Sequence, residues 1–163
     1  MSGVANLLSL SAHLPEIDFA AGDVVISEGD AAGSIWVLVD GSLEVRKGDV
    51  SINTITHPGS LVGEMSVLLG AQARASVVAT GPCRLRHAVD GKAFLSSDPE
   101  ITTLVAAGLA ERLNFVNTYL ADLKHQYGDA PGLAMVSDVL SKLSQHTGPA
   151  AQSGSAREPN PEY

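Results

Sequence analysis

Residues 23–56, DVVISEGDAAGSIWVLVDGSLEVRKGDVSINTIT, decide the fold class of the chain. Short runs rich in β-branched residues alternate there with turn signals such as Glu28-Gly29-Asp30 and Asp40-Gly41-Ser42. Glycine beside an acidic residue is typical of hairpin turns, because glycine supplies the positive φ that a tight turn needs. Many short strands separated by such turns predict a closed or sandwiched antiparallel barrel.

Two further strands are predicted after this region, in residues 75–80 and 83–89. Side chains alternate across a strand, so the second run should place Arg84 and Arg86 on one face and four residues on the other: Cys83, Leu85, His87 and Val89. Cys83 is predicted to be a small buried hydrophobe, and Trp36 to fill the core rather than to stack on a ligand.

Helical patterns flank the strands. Residues 1–15 hold a predicted N-terminal helix that ends at Pro15, and the barrel follows in residues 16–97. Asp98-Pro99-Glu100 is a typical helix start, so a long helix is expected over residues 98–127. A shorter helix is expected within residues 128–148, and the Pro- and Ser-rich residues 149–163 are predicted to be disordered.

The composition excludes several function classes. The chain has 163 residues with a net charge of −8, and 18 acidic against 10 basic residues oppose binding to nucleic acid or to an anionic membrane. No apolar run is long enough to cross a bilayer, and the N-terminus lacks the positive region of a secretory signal. These features predict a small cytoplasmic domain.

Signals for catalysis are missing from the sequence. The five histidines are scattered without His-x-His spacing, and the single cysteine cannot build a metal site alone. No nucleophile and base are placed together in a readable motif. We therefore predict neither a metal site nor an enzyme.

Residues 59–79, GSLVGEMSVLLGAQARASVVA, interrupt the rhythm of strands. Gly63 allows a ligand to approach the backbone closely, and the start of the short helix after it offers free N–H groups to an anion. Arg74 can bind a pair of anionic oxygens, whereas Glu64 suits a sugar hydroxyl better than a phosphate. Together these parts suit a ligand with one phosphate and one ribose.

The chain resembles the cyclic nucleotide-binding domain family over about residues 16–127. FAAGDVVISEGD (19–30), IWVLVDGSLEV (35–45) and Pro58-Gly59 fit the pattern of that family in order, followed by the segment 59–79. The resemblance implies a mainly β fold with flanking helices: an eight-stranded antiparallel jelly-roll barrel, an N-terminal helix and a long C-terminal helix. It also identifies residues 59–79 as the phosphate-binding cassette.

The resemblance assigns roles to individual residues. By position, Glu64 matches the acceptor of the ribose 2′-hydroxyl and Arg74 the partner of the cyclic phosphate. Four more residues match positions that line the phosphate, largely through backbone groups: Gly63, Met65, Ser66 and Ala75.

The identity of the base is read from two other positions. Ala75 stands where many family members carry the hydroxyl that favours cGMP, so the predicted ligand is cAMP, with cGMP as the alternative. Asn117 falls in a stretch of the long helix whose end contacts adenine in the catabolite activator class.

Apolar residues at alternating three- and four-residue spacing run through residues 106–127. This spacing is typical of a coiled-coil seam and predicts a homodimer through the long helix, although the same face could instead pack on its own barrel. About 36 residues follow Tyr127, which is too short for the helix-turn-helix domain of the catabolite activator class.

The predicted function is a stand-alone cyclic nucleotide receptor that binds cAMP and passes the signal to an unidentified effector protein. The alternative is a degenerate cyclic nucleotide-binding fold, which acts as a dimeric protein-interaction scaffold without binding nucleotide.

Overall fold

The computed structural model describes residues 3–127 and 134–145, so the predicted tail at 149–163 lies outside the described residues. The chain divides into two compact units, Met1–Ala106 and Ala107–Tyr163. The elements follow in chain order: α1 (Gly3–Leu10), β1 (Glu16–Phe19), β2 (Val24–Ile26), β3 (Ile35–Asp40), β4 (Leu43–Lys47), β5 (Val50–Ile55), β6 (Leu61–Val62), α2 (Glu64–Leu69), β7 (Ser76–Ala79), β8 (Cys83–Ala88), α3 (Gly91–Ser96), α4 (Pro99–Tyr127) and α5 (Ala134–Gln145).

The eight strands form two four-stranded sheets, in the orders β1-β8-β3-β6 and β2-β7-β4-β5. Every pairing is antiparallel, and most neighbours in a sheet are distant in sequence. The predicted fold class is therefore confirmed: eight antiparallel strands with flanking helices and a long C-terminal helix.

The core of the first unit is made by alternate side chains of both sheets. Phe19, Trp36 and Ile55 are partly buried and pack against its edges. Its fully enclosed members are small and medium apolar residues, among them the predicted Cys83: Leu38, Leu43, Val62, Val77, Ala79, Cys83 and Leu85.

β3 is covered on both faces. Leu38 belongs to the core cluster, while Ile35 and Val37 point to the other face and are also fully buried. The first residue of α3 packs there, because a Cβ added to Gly91 would lie 2.9 Å from Ile35 Cγ1. Side chains thus pack against both faces of strand β3.

Trp36 stacks on His87 across the β3–β8 pair, with ring centroids 3.9 Å apart. The ring of Phe19 meets Trp36 edge-on at 5.4 Å. Burial lowers the pKa of His87 below its ordinary value of 6.5, so the imidazole is neutral at pH 7. Trp36 therefore packs within the protein, as the sequence predicts.

The prediction for Val89 is wrong. Its side chain is 71% exposed, whereas Ala88 is buried. β8 ends at Ala88, and Asp90 then caps α3 by accepting a hydrogen bond from the Ala93 N–H at 3.0 Å. The strand therefore ends at Ala88, one residue before the end that the sequence pattern predicts.

Helix α1 ends at Leu10, earlier than the predicted end at Pro15. Arg86 Nη1 donates to the Leu8 carbonyl at 2.6 Å, and the Ala12 N–H turns instead to the Ser9 carbonyl. A guanidinium from β8 thus replaces the next hydrogen bond of the helix and ties α1 to the sheet.

Arg86 also donates to Ser11 Oγ at 3.0 Å and to Glu16 Oε2 at 3.1 Å, and its side chain is only 14% exposed. We expect Arg86→Met to lower the free energy of unfolding by about 2–4 kcal/mol, because it removes the charged donor from the part-buried hydrogen bonds to the Leu8 carbonyl and Ser11 Oγ. Urea denaturation measures this loss.

Arg84 provides the matched control on the same strand. It pairs with Asp18 at 2.9 Å but is 48% exposed, so Arg84→Met should leave the free energy of unfolding close to that of the wild type. Equal losses for the two variants would show that Arg86 is no more than a surface ion pair.

Candidate functional site

The segment 59–79 leaves the sheet at Gly63. Strand β6 pairs with β3 through Trp36↔Val62, and Gly63 then adopts a left-handed backbone with φ of 95°. A Cβ at this position would lie 2.8 Å from the Ser34 carbonyl oxygen. Both the dihedral angle and the close approach require glycine, so the chain can turn here directly into α2.

Glu64 is the first residue of α2 and is only 6% exposed. A carboxylate at this place is stabilised by the positive end of the helix, and its oxygens can accept hydrogen bonds. Met65 is exposed and Ser66 is half-buried, so the turn that carries Glu64 faces both the interior and the solvent.

Helix α2 ends at Gly70, which has φ of 64° and donates to the carbonyls of Ser66 and Val67. The Ala71 N–H also donates to the Ser66 carbonyl, at 3.1 Å. The carbonyl of the predicted site residue Ser66 thus accepts the hydrogen bonds that end the helix, and the loop that leads to Arg74 follows.

The turn after β2 holds the returning chain. The Gly29 N–H donates to the Ala73 carbonyl at 2.8 Å, and the Ala73 N–H donates to the Asp30 carbonyl at 2.9 Å. Ala73 thus accepts a hydrogen bond from one residue of the turn and donates a hydrogen bond to the next. The backbone just before Arg74 is therefore fixed to the barrel.

Arg74 projects from this fixed backbone and is exposed. Arg46, Arg84 and Arg86 each pair with a carboxylate, whereas no ion pair involves Arg74 within residues 3–127 and 134–145. An open depression of about 450 Å³ lies beside it, lined also by Glu28, Lys47 and residues 71–73. Its guanidinium is available to an anionic ligand.

Two residues that sequence reasoning missed border Arg74. Lys47 Nζ donates to the Arg74 carbonyl at 2.7 Å and to Glu28 Oε2 at 3.2 Å. The hydrogen bond and charge of Lys47, with a bond from the Gly48 N–H, lower the pKa of Glu28. These contacts join residues 19 and 27 positions apart, and no local pattern could have found them.

Ser76 opens β7, and its hydroxyl accepts a hydrogen bond from the Glu28 N–H at 2.9 Å. The neighbouring Ala75 carries no polar side chain. The Ser76 hydroxyl is thus hydrogen-bonded to the backbone of the turn after β2.

The predicted site residues fall in two places. The structure brings Gly63, Glu64, Met65 and Ser66 together at the start of α2 and places Arg74 and Ala75 at the exit of the same segment, all within Met1–Ala106. Asn117 lies on α4 in the other unit, Ala107–Tyr163. Its Oδ1 atom is buried and has no hydrogen-bond partner among the described residues.

No three His, Cys, Asp or Glu side chains among the described residues are grouped so as to hold a metal ion. None of the helices in residues 3–127 and 134–145 combines the length and apolarity needed to span a bilayer.

Comparison with known proteins places this geometry in a family. The model of the cyclic nucleotide-binding domain family matches residues 16–111. The CRP-like cAMP-activated global transcriptional regulator of Mycobacterium tuberculosis is 27% identical over 150 residues, which cover 87% of this chain and 64% of that protein. The chain thus spans less than two thirds of the length of this relative.

Two further proteins share part of the chain. The cAMP-dependent protein kinase regulatory subunit of Yarrowia lipolytica is 34% identical over 77 residues, or 47% of this chain and 20% of that protein. The crystal structure of the Thermus thermophilus catabolite activator protein has 25% identity and a TM-score of 0.59, covering 75% of this chain and 59% of that chain.

The geometry of the segment predicts a large cost for Gly63→Ala. The change adds a Cβ against the Ser34 carbonyl and strains a backbone at positive φ, and we expect a loss of about 2–4 kcal/mol in the free energy of unfolding. Gly70→Ala is the control, because Gly70 has positive φ but open space around it.

Urea denaturation of both variants separates the two causes. Gly70→Ala should cost only about 1 kcal/mol, from backbone strain alone. Equal losses would show that the approach to Ser34 does not constrain the turn.

Proposed function

The chain belongs to the cyclic nucleotide-binding domain family, and on that premise we propose that it is a receptor that binds cAMP through residues 59–79. The observation that carries the proposal is Arg74, an exposed guanidinium without an ion pair in the described chain. It lies in the loop after α2, the helix whose first residue is the buried Glu64. Arg74 would bind the cyclic phosphate through two parallel hydrogen bonds.

Glu64 would accept a hydrogen bond from the ribose 2′-hydroxyl. Glu64 is buried at the start of α2, so its carboxylate would be a fixed hydrogen-bond acceptor for the ribose. Four residues would line the phosphate, largely by backbone groups: Gly63, Met65, Ser66 and Ala75.

Two observations favour cAMP over cGMP. Ala75 offers no hydroxyl to a guanine, and the hydroxyl of the adjacent Ser76 accepts a hydrogen bond from the Glu28 N–H. The names of both curated relatives also refer to cAMP.

We further propose that the chain is a regulator and not an enzyme, and that it signals to a protein partner. The relatives are named as regulators. The net charge of −8 opposes contact with a phosphate backbone, which favours a protein over a nucleic acid as the effector of this chain. Ligand contacts that differ between two conformations would transmit the signal.

Titration calorimetry with cAMP, cGMP and non-cyclic AMP tests the receptor. The wild type should bind cAMP more tightly than cGMP, and non-cyclic AMP should bind weakly. Arg74→Ala should lose about 2–5 kcal/mol of binding free energy, because the phosphate would be buried without its partner.

Arg46→Ala is the control, since Arg46 pairs with Glu44 and should leave affinity unchanged. No heat with either cyclic nucleotide would favour the alternative, a scaffold whose pocket is idle. Chromatography after incubation with the protein should recover the cyclic nucleotide intact. Turnover of the nucleotide would contradict the proposal that the chain is not an enzyme.

A homodimer through the helix of residues 106–127 is also proposed. Leu113 and Val116 lie three positions apart on the predicted seam of α4 and are each 45% exposed. Apolar side chains at this spacing are suited to bury one another against a second copy of the same helix.

Light scattering at micromolar concentration should therefore give twice the mass of one chain. Leu113→Glu combined with Leu120→Glu should give a monomer, because it places charges in the seam. Thr118→Glu, on the opposite side of the helix, should remain dimeric. A monomeric wild type would contradict the proposed seam.

A further inference from the structure

One side chain outside residues 59–79, that of Lys47, reaches the backbone of Arg74, and Glu28 holds this side chain in an ion pair. Lys47 Nζ bridges the Arg74 carbonyl and Glu28 Oε2. Glu28 Oε1 accepts from the Gly48 N–H at 3.3 Å, and the Glu28 N–H donates to Ser76 Oγ. Glu28 and Lys47, here called the Glu28–Lys47 clamp, thus connect the turn after β2 and the end of β4 to the Arg74 carbonyl and to Ser76.

The position of the clamp follows from the end of a ladder. Strands β4 and β7 pair as far as Arg46↔Ser76. Arg74 lies beyond that last pair, so its carbonyl receives no bond from the backbone of β4. The Lys47 side chain supplies a donor there instead, and a charged donor makes a stronger hydrogen bond than a neutral one.

The clamp is poorly placed to stabilise the whole fold. Both side chains are exposed, and an exposed ion pair contributes little to the free energy of unfolding. Its effect is local, because the Lys47 ammonium restricts the backbone of one residue. That residue is Arg74, whose guanidinium forms no ion pair with a carboxylate of the described residues.

We infer that Glu28 and Lys47 are positioning residues, which hold the Arg74 backbone in the conformation that presents its guanidinium to the anionic ligand. The inference rests on the proposed function. Without the clamp, the backbone of Arg74 would sample additional conformations, and the apparent Kd rises in inverse proportion to the fraction that is competent to bind.

Lys47→Met in the full chain tests the inference, with cAMP and cGMP each titrated by calorimetry. Methionine keeps the apolar stem and removes the donor. We expect Kd to rise about tenfold, as it would if one tenth of the molecules stayed competent, while the urea midpoint stays near that of the wild type. Arg46→Met is the matched control, because the adjacent Arg46 pairs with Glu44 and should leave Kd unchanged.

A double-mutant cycle distinguishes positioning from a general structural effect. If Lys47 acts through Arg74, Lys47→Met should have little further effect in an Arg74→Lys background. Amide hydrogen exchange without ligand should also become faster over residues 71–76 in Lys47→Met. An equal loss of affinity in both backgrounds, or unchanged exchange, would overturn the inference.

The outcomes also separate the inference from the proposed function. A wild type that binds, with Arg74→Ala impaired and Lys47→Met unimpaired, would overturn the clamp and leave the receptor intact. A wild type that binds neither nucleotide would overturn the receptor and the inference that rests on it.

Discussion

The close approach of Gly63 to the Ser34 carbonyl is the constraint on which the candidate site depends. β6 must leave the sheet at a point where a Cβ would lie 2.8 Å from the carbonyl oxygen of Ser34, in the loop before β3, and only glycine fits there at φ of 95°. Because the turn is so tight, α2 begins at the next residue, and its first side chain, Glu64, is enclosed. A looser turn would place that carboxylate in solvent, where water would compete for the same hydrogen bonds.

The fold was predictable where apolar alternation and turn chemistry agree. Six of the strands coincide with runs that the sequence pattern identifies. Five of them have β-branched residues close to glycine-containing turns, and β8 instead alternates apolar with basic residues from Cys83 to Arg86. β1 and β6 lack this signal: EIDF is largely polar, and Leu61–Val62 is too short for a period. Asp90-Gly91 suggests a hairpin, yet Asp90 caps α3, since the same residue pair suits both uses.

The candidate site was predictable only as far as it is continuous in sequence. Residues 63–66 and 74–75 lie in one segment whose glycine, acid and arginine can be read together. Lys47 and Glu28 join that segment through the antiparallel pairing of β4 with β7 and of β2 with β7, which brings together residues far apart in the chain. Sequence spacing carries no record of such contacts, and they appear only when the strands are paired.

Pairing of charges explains how a strongly acidic protein can hold an anion. Four of the basic residues each form an ion pair with a nearby carboxylate: Arg46, Lys47, Arg84 and Arg86. Screening limits the reach of the remaining surface charge to about 8–10 Å in physiological salt. The potential that a ligand meets at Arg74 is therefore set by its immediate surroundings, where Glu28 is already neutralised by Lys47. Thus the same ion pair that holds the backbone of Arg74 also offsets the carboxylate closest to its carbonyl, which joins the geometry of the site to its electrostatics.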